Sequence, residues 1–325
     1  MQDYQGWKYG YDIIKKEFLL DYDKSIKKPS TFYKYYALNE HSVDALTNLY
    51  VYASHPLQLN DPFDCDCRLA IIEDDQNAQA LWEGLYDQVS RACDTKEMLY
   101  RYSTECFTKL MFMKWGILSL TDTCENRIMW SSYANNNGFC LEWDIERFPF
   151  VHKGPFPIHY VDEVKIASSI DYDIQTLALI QSNVKQKDWK YENEWRLMIQ
   201  PPEGFDLESF GESAEETNQI VDLHDRKFKY PIRALKSIVL GVSFFKDLYE
   251  RQQIVSKHPY EIHVCYQKEC LQTYLLDFLD RICKMNCIVD SPQCKMRLKD
   301  GLRARTVQIE VIRVSHLTYR VIEKR

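Results

Sequence analysis

The chain has 325 residues, of which 45% are hydrophobic, 14% are aromatic and 27% are charged, and its formal net charge is −7. This composition excludes a disordered or fibrous chain and supplies enough apolar material for one large domain or two ordinary ones. No apolar run approaches the roughly 20 residues of a membrane-spanning helix, and the N-terminus lacks a signal-peptide layout, so we expect a cytoplasmic protein with no membrane partner.

Strand-favouring and helix-periodic segments follow one another along the chain without strict alternation. Runs rich in aromatic and β-branched residues predict strands over 31–38, 50–56, 116–122, 139–144, 157–164, 193–200, 235–241, 261–267 and 306–314. Apolar spacings of three and four residues predict helices over 11–20, 41–49, 75–114, 126–134, 169–186, 244–257 and 270–285. Residues 58–66 and 203–226 are expected to be loops.

These elements predict an α+β fold, with mixed or antiparallel short-stranded sheets and flanking helices. We expect an N-terminal extension over 1–30, a main catalytic-like domain over 31–267, and a C-terminal helix and basic strand segment over 268–325 that packs on the main domain. The sequence has no GxGxxG, GxxxxGK[ST] or GxSxG motif, which argues against standard dinucleotide-binding, P-loop and nucleophile-elbow folds.

The cysteines favour one interpretation, whereas the C-terminal charges leave two. The chain has 11 cysteines, and the spacings in CDC (65–67) and CKMNC (283–287), with Cys294 nearby, do not match zinc motifs. We therefore expect neither a disulfide nor a metal site. From Ser291 onward, nine Lys/Arg stand against three Asp/Glu. This excess indicates either a solvated terminal strand or a surface for nucleic acid or an acidic partner.

The segment YENEWR places two carboxylates two residues apart. On a strand, Glu192, Glu194 and Arg196 would share one face, because successive side chains point to opposite faces. Like charges on one face repel unless cations compensate them, and Lys187, Lys190 and Arg196 are near in sequence. The pair is either a site that holds negative charge for chemistry or an exposed face that Arg196 neutralises.

Two further segments combine polar and aromatic residues. In LQLNDPFDCD (57–66), Asn60 and Asp61 could contact a ligand's ribose or amide, or they could form an Asx-turn that satisfies its own backbone. In RIMWSSYANNNGFCLEWD (127–144), Trp130 and Tyr133 are three residues apart and would share a helix face. Their rings would either line a binding site for a planar ligand or pack in the hydrophobic core.

Together these stretches resemble a family of prokaryotic proteins of unknown function, the domain-of-unknown-function family 2971. The resemblance covers about 31–267 and rests on motifs in the family's order: Tyr33-Lys34-Tyr35, Asn60 to Phe63, Met129 to Ala134 with Gly138, and Lys187 to Arg196. It implies no established activity.

A second resemblance, to ADP-ribosyltransferase folds, implies a mechanism. It would place Lys34 on the first strand, where an Arg or His is usual, Ser54 on the second, and Glu192 and Glu194 on a later one. Glu194 would then bind the nicotinamide ribose of NAD as substrate, Glu192 would orient or deprotonate the acceptor, and Lys34 would contact the pyrophosphate or a ribose.

The same resemblance implies the rest of a nucleotide site. Tyr33, Tyr35 or Tyr133 would stack on nicotinamide, and the remaining predicted contacts are Ser54, Asn60, Asp61, Trp130, Lys187 and Arg196. The acceptor would be a nucleic acid, a protein or water, and such an activity suits a toxin or phage-defence effector.

The alternative is a non-enzymatic module that binds protein or nucleic acid, in which the aromatic motifs build the core. The two hypotheses differ in geometry. Convergence of Lys34, Asn60, Trp130 and Glu194 on one cleft would favour the enzyme, whereas burial and dispersal would favour the module. The sequence does not fix the oligomeric state.

Overall fold

A computed structural model describes residues 1–61, 63–72, 98, 104, 115–149, 152–199, 226–241, 254–258, 261–265, 295–300, 303–313 and 317–323. The helix predicted over 75–114, the loop over 203–226, the helix over 270–285 and the CKMNC segment fall almost wholly outside these residues. Within them, no helix combines the length and the apolar character that are needed to cross a membrane.

The described residues contain twenty strands and three α-helices with defined bounds, and Met98 and Thr104 are also helical. The strands are β1 Gln2–Tyr4, β2 Trp7–Asp12, β3 Glu17–Asp21, β4 Phe32–Tyr36, β5 Tyr50–Tyr52, β6 Ala70–Ile71, β7 Gly116–Thr121, β8 Phe139–Trp143, β9 His152–Pro157, β10 His159–Val161, β11 Ala167–Ser168, β12 Val184–Gln186, β13 Glu194–Ile199, β14 Lys227–Lys229, β15 Leu235–Leu240, β16 Ile254–His258, β17 Glu261–Cys265, β18 Lys295–Asp300, β19 Arg303–Arg313 and β20 Leu317–Glu323. The helices are α1 Glu40–Thr47, α2 Arg127–Ala134 and α3 Ile174–Asn183. Short 3₁₀ helices include Ile145–Arg147, Lys187–Glu192 and Ile232–Ala234. The predicted α+β class is confirmed.

Two compact units, each built from three chain segments, make up the molecule. The first unit comprises Met1–Lys28, Tyr52–Ser119 and Phe150–Phe228, and the second comprises Pro29–Val51, Leu120–Pro149 and Lys229–Arg325. The division expected from the sequence, into residues 1–30, 31–267 and 268–325, remains a prediction.

In the first unit, β1, β2 and β3 form an antiparallel sheet, and β13 lies between β7 and β9. Helix α3 begins after Asp173, whose carboxylate accepts the amide hydrogen of Thr176, and every α3 residue except Gln175 is buried. The helix is buried on nearly all sides although half of its residues are polar, and it is shorter than the predicted 169–186.

The helix predicted over 11–20 is wrong, because this segment is the β2–β3 hairpin. The carboxylate of Asp12 accepts the amide hydrogens of Ile14 and Lys15, both at 3.0 Å, and this fixes a turn. Ile13 and Ile14, which supplied the apolar spacing, lie at the turn and are 78% and 90% exposed. Turn chemistry therefore overrides apolar periodicity here.

The second unit contains strands in the order β16-β17-β20-β19-β18-β15-β8-β4. Residues 306–313 of the strand predicted over 306–314 lie within β19. The end of the helix predicted over 244–257 is wrong, because Ile254–His258 is β16. Helix α2 starts at Asn126, whose side chain accepts hydrogen bonds from two backbone amides. Gly138 follows it, and a Cβ there would lie 2.0 Å from the carbonyl oxygen of Tyr36. Only glycine fits this approach.

Candidate functional site

Strand β13 and the 3₁₀ helix before it position the paired glutamates in the first unit. Glu194 and Arg196 are both on β13 and share a face, as predicted. Glu192 instead ends the 3₁₀ helix, and Asn193 follows it in a left-handed conformation with φ of 45°. The prediction that Glu192 belongs to the same strand face is therefore wrong, because the left-handed residue ends one element before the strand starts.

Five charged side chains form a buried ion network in the first unit, namely Asp64, Lys185, Glu192, Glu194 and Arg196. Their side chains are only 2–6% exposed. Ser119 hydrogen-bonds to Glu194. The amide hydrogen of Glu194 is donated to the hydroxyl oxygen of Tyr160 at 2.9 Å.

Arg196 lies at the centre of this ion network. Its Nε donates to Oε1 of Glu194 at 2.7 Å, and one terminal nitrogen donates to Oδ1 of Asp64 at 2.8 Å. The same nitrogen donates to the carbonyl oxygen of Ser182 at 2.7 Å and contacts the Cys65 sulfur at 3.3 Å. The other terminal nitrogen donates to both Asp64 and Glu194. Such fork geometry is the strongest form of carboxylate pairing.

Lys185 joins all three carboxylates. Its Nζ lies 2.7 Å from Oε2 of Glu192, 3.1 Å from Oε2 of Glu194 and 3.4 Å from Oδ2 of Asp64. The same ammonium lies 4.7 Å from the ring centroid of Trp189. Counting each carboxylate as ionised, three negative and two positive charges give the network a net charge of −1.

The network holds Lys185 and Glu194 in their charged forms. Burial lowers the pKa of Lys185, but the charge of Glu194, with those of Asp64 and Glu192, outweighs burial and raises that pKa above its ordinary value. Burial raises the pKa of Glu194, but the charges of Arg196 and Lys185 outweigh it and lower that pKa. Burial raises the pKa of the Cys65 thiol well above its usual range, so the sulfur stays protonated.

Arg196 and Lys185 compensate the glutamates. Arg196 was expected from the sequence, whereas Lys185 takes the place of the expected Lys187 and Lys190. Lys187 instead bonds Asp162, with the two side chains 49% and 82% exposed, and Lys190 is exposed. Sequence distance alone does not select Lys185, because 185 and 187 are both near the glutamates.

Asp64 and Cys65, in the segment NDPFDCD, contact Arg196 in the network. Oδ1 of Asp61 accepts the amide hydrogen of Phe63 at 2.9 Å, so this segment is an Asx-turn, while Asn60 is exposed. The turn brings Asp64 to Arg196, a contact between residues 132 positions apart that the sequence analysis missed. Ser54 forms an isolated bridge with Ile117 through two backbone hydrogen bonds of 2.8 Å.

The aromatic candidates lie in the second unit. Tyr35 and Trp130 are 6% and 4% exposed, and their ring centroids are 5.0 Å apart in an edge-to-face arrangement. Trp130 Nε1 donates to the carbonyl oxygen of Cys124 at 2.8 Å. Half-buried Tyr33 and Tyr133 pack against this cluster, and burial raises the pKa of Tyr33 to about 12. These rings form a hydrophobic core.

The residues chosen to separate the two hypotheses divide between the units. Asn60 and Glu194 belong to the first unit, where one is exposed and the other buried. Lys34 and Trp130 belong to the second, where the Nζ of Lys34 lies 5.9 Å from the ring centroid of Tyr36.

The second unit also contains a charged groove with a volume of about 610 Å³. We call it the basic groove, and its lining residues are Glu146, Arg147, Phe148, Pro149, Lys229, Tyr230, Pro231 and Arg233. None of them was a candidate from the sequence, because the cations come from two separate segments, 146–149 and 229–233.

Comparison with known proteins gives one match. Residues 129–197 match the model of a family described as "Protein of unknown function (DUF2971)". The match contains the Trp130–Tyr133 helix and the Lys187–Arg196 motif. No curated protein and no solved structure matches the chain.

Proposed function

We propose that this chain, which belongs to the DUF2971 family through residues 129–197, acts by binding a partner and not by turning over NAD at its paired glutamates. The observation that carries the proposal is the saturation of Glu194. Arg196 donates to both of its carboxylate oxygens, and Lys185 shares one of them. A glutamate that holds a ribose needs an oxygen that the substrate can reach.

Opening the network for a substrate is costly. Breaking the contacts of Glu194 would leave Arg196 and Lys185 short of a partner in a region where side chains are 2–6% exposed. Separating a buried pair in this way typically costs about 3–5 kcal/mol. The arrangement therefore supports a structural role for the glutamates, and the exposed charges of the second unit are the better candidates for contact with a partner.

An NAD-using ADP-ribosyltransferase-like enzyme or NAD glycohydrolase is the second candidate. One feature favours it: the ion network carries one more negative charge than positive, and the lowered pKa keeps Glu194 ionised. A negative charge fixed in this way would stabilise the positive sugar that forms as nicotinamide leaves. A role as a toxin or in phage defence stays a prediction under either candidate.

Nicotinamide release separates the two candidates. Purified protein is incubated with NAD, alone and with protein or nucleic acid acceptors, and nicotinamide is measured by chromatography. Three proteins are compared: the wild type, Glu194→Gln, and Glu163→Gln, which makes the same change at an exposed glutamate of the same unit. We expect no release above the blank from any of them. Release by the wild type and Glu163→Gln, lost in a folded Glu194→Gln protein, would establish the enzyme instead.

A further inference from the structure

The basic groove lies where two neighbouring antiparallel strands of the second unit meet their 3₁₀ helices. Trp143, at the end of β8, pairs with Leu235 at the start of β15. The backbone amide of Asp144 donates to the carbonyl oxygen of Ala234 at 2.9 Å and joins the segment after β8 to the one before β15. The groove is therefore built on paired backbone.

Buried aromatic rings form the floor of the basic groove. Phe148 and Tyr230 are 6% and 3% exposed, and their ring centroids lie 5.7 Å apart. Trp143, which is fully buried, contacts both rings at centroid distances of 6.1 and 5.7 Å. Because these rings already pack on one another, they make the floor rigid and leave little apolar surface for a partner.

The rim of the basic groove is cationic. Arg147, Lys229 and Arg233 are exposed, and with exposed Glu146 they give the lining residues a net charge of +2, which the Asp144 carboxylate beside Arg147 lowers to +1. The whole chain carries −7, so this charge is a local reversal. The Nε of Arg147 donates to Oδ2 of Asp144 at 2.9 Å, which orients the guanidinium.

We propose that the basic groove binds single-stranded nucleic acid through its phosphates, with Arg147, Lys229 and Arg233 as the contacts. The inference rests on the proposed function, because it names the partner of a binding module. Arginine presents a planar fork that matches phosphate oxygens, and each phosphate contact releases counterions regardless of base sequence.

The floor distinguishes this partner from an acidic protein. Protein interfaces draw most of their affinity from an apolar or aromatic anchor that fills a pocket. The aromatic atoms of this groove are covered, so the affinity has to come from the charged rim. A positively charged groove of this kind can follow the backbone of a flexible single strand.

Salt dependence of binding tests the proposal quantitatively. A fluorescent oligothymidylate is titrated with the full chain at several salt concentrations, and binding is followed by anisotropy. Each phosphate contact to a single strand contributes about −0.7 to the slope of log K against log salt, so three contacts give about −2. Arg147→Gln, Lys229→Gln and Arg233→Gln should each make that slope less negative by about 0.7.

The control is Arg127→Gln, which removes an exposed cation of the same unit outside the groove. It should leave the slope unchanged, and all four variants should keep the wild-type thermal midpoint because these side chains are exposed. A triple groove variant that binds as the wild type does would overturn the proposal. So would the absence of oligothymidylate binding, a preference for duplex DNA, or tighter binding of polyglutamate, which would indicate an acidic protein partner.

The two proposals fail separately. NAD consumption together with groove-dependent oligothymidylate binding would overturn the proposed function and leave the site intact. If the protein neither binds oligothymidylate nor consumes NAD, only the proposal that the basic groove binds nucleic acid would be overturned.

Discussion

The buried ion network of the first unit and the basic groove of the second use the same residue types to opposite effect. In the network, five charged side chains are 2–6% exposed and bonded to one another. In the groove, four charged side chains are exposed and surround a cavity. The comparison shows that solvent exposure distinguishes charged side chains that stabilise the fold from those that are available to bind a partner. The most distinctive sequence motif, YENEWR, supplies charged residues of the first kind.

Removal of the central cation should break the network most severely. Arg196→Met leaves Asp64 and Glu194 without their main partner, and the expected loss is about 3–5 kcal/mol of unfolding free energy. Arg147→Met, the same change at the groove, should cost less than about 1 kcal/mol, because exposed pairs contribute little. Guanidinium denaturation measures both. Similar losses for the two variants would contradict the distinction between the regions.

Two lysines separated by one residue sharpen the comparison within a single unit. Lys185→Met removes the ammonium that three buried carboxylates share, and we expect a loss of about 3 kcal/mol. Lys187→Met removes only an exposed pair with Asp162, and we expect less than about 0.5 kcal/mol. Thermal unfolding monitored by circular dichroism would show the difference. An equal shift of the two midpoints would mean that Lys185 is not held by the network.

A neutral buried histidine in the first unit provides a smaller, pH-dependent effect. His159 stacks on Trp7 with ring centroids 4.1 Å apart and hydrogen-bonds the Tyr9 hydroxyl at 3.1 Å. Burial lowers its pKa from 6.5 to about 4, and the charge of Asp3 opposes this only in part. The unfolded chain therefore binds a proton that the folded chain excludes. Stability is complete above pH 6.5 and falls as the pH approaches 4.

Wild type and His159→Phe are compared by denaturation at intervals between pH 7 and pH 4. The wild type should lose up to about 3 kcal/mol more than the variant across this window. The difference isolates His159, because the carboxylates of the network are common to both proteins. Parallel stability profiles would show that the histidine is not held neutral.

Local chemistry explains which parts of the molecule the sequence predicts. Strand β13 is recognisable because polar and apolar residues alternate from Glu194 to Leu197, which is the period of a strand, and all six residues of the strand are buried. The β2–β3 hairpin was not predicted, because Asp12 fixes a turn at Ile13 and Ile14, and these two apolar residues contribute to a helix-like spacing in the sequence. The pairing of Asp64 with Arg196 spans 132 residues and leaves no local trace. A single sequence also cannot show which of two nearby lysines points inward.

The unfolding free energy of Glu194→Gln, measured beside Glu163→Gln, tests the central claim most directly. A functional glutamate that strains the fold would leave stability unchanged or higher when neutralised, as expected when a site gives up stability for activity. A glutamate that completes a buried network would cost about 3 kcal/mol, because Arg196 and Lys185 lose a shared charge. We expect that loss for Glu194→Gln and none for Glu163→Gln. A Glu194→Gln protein as stable as the wild type would contradict a structural role and restore the paired glutamates as an active site.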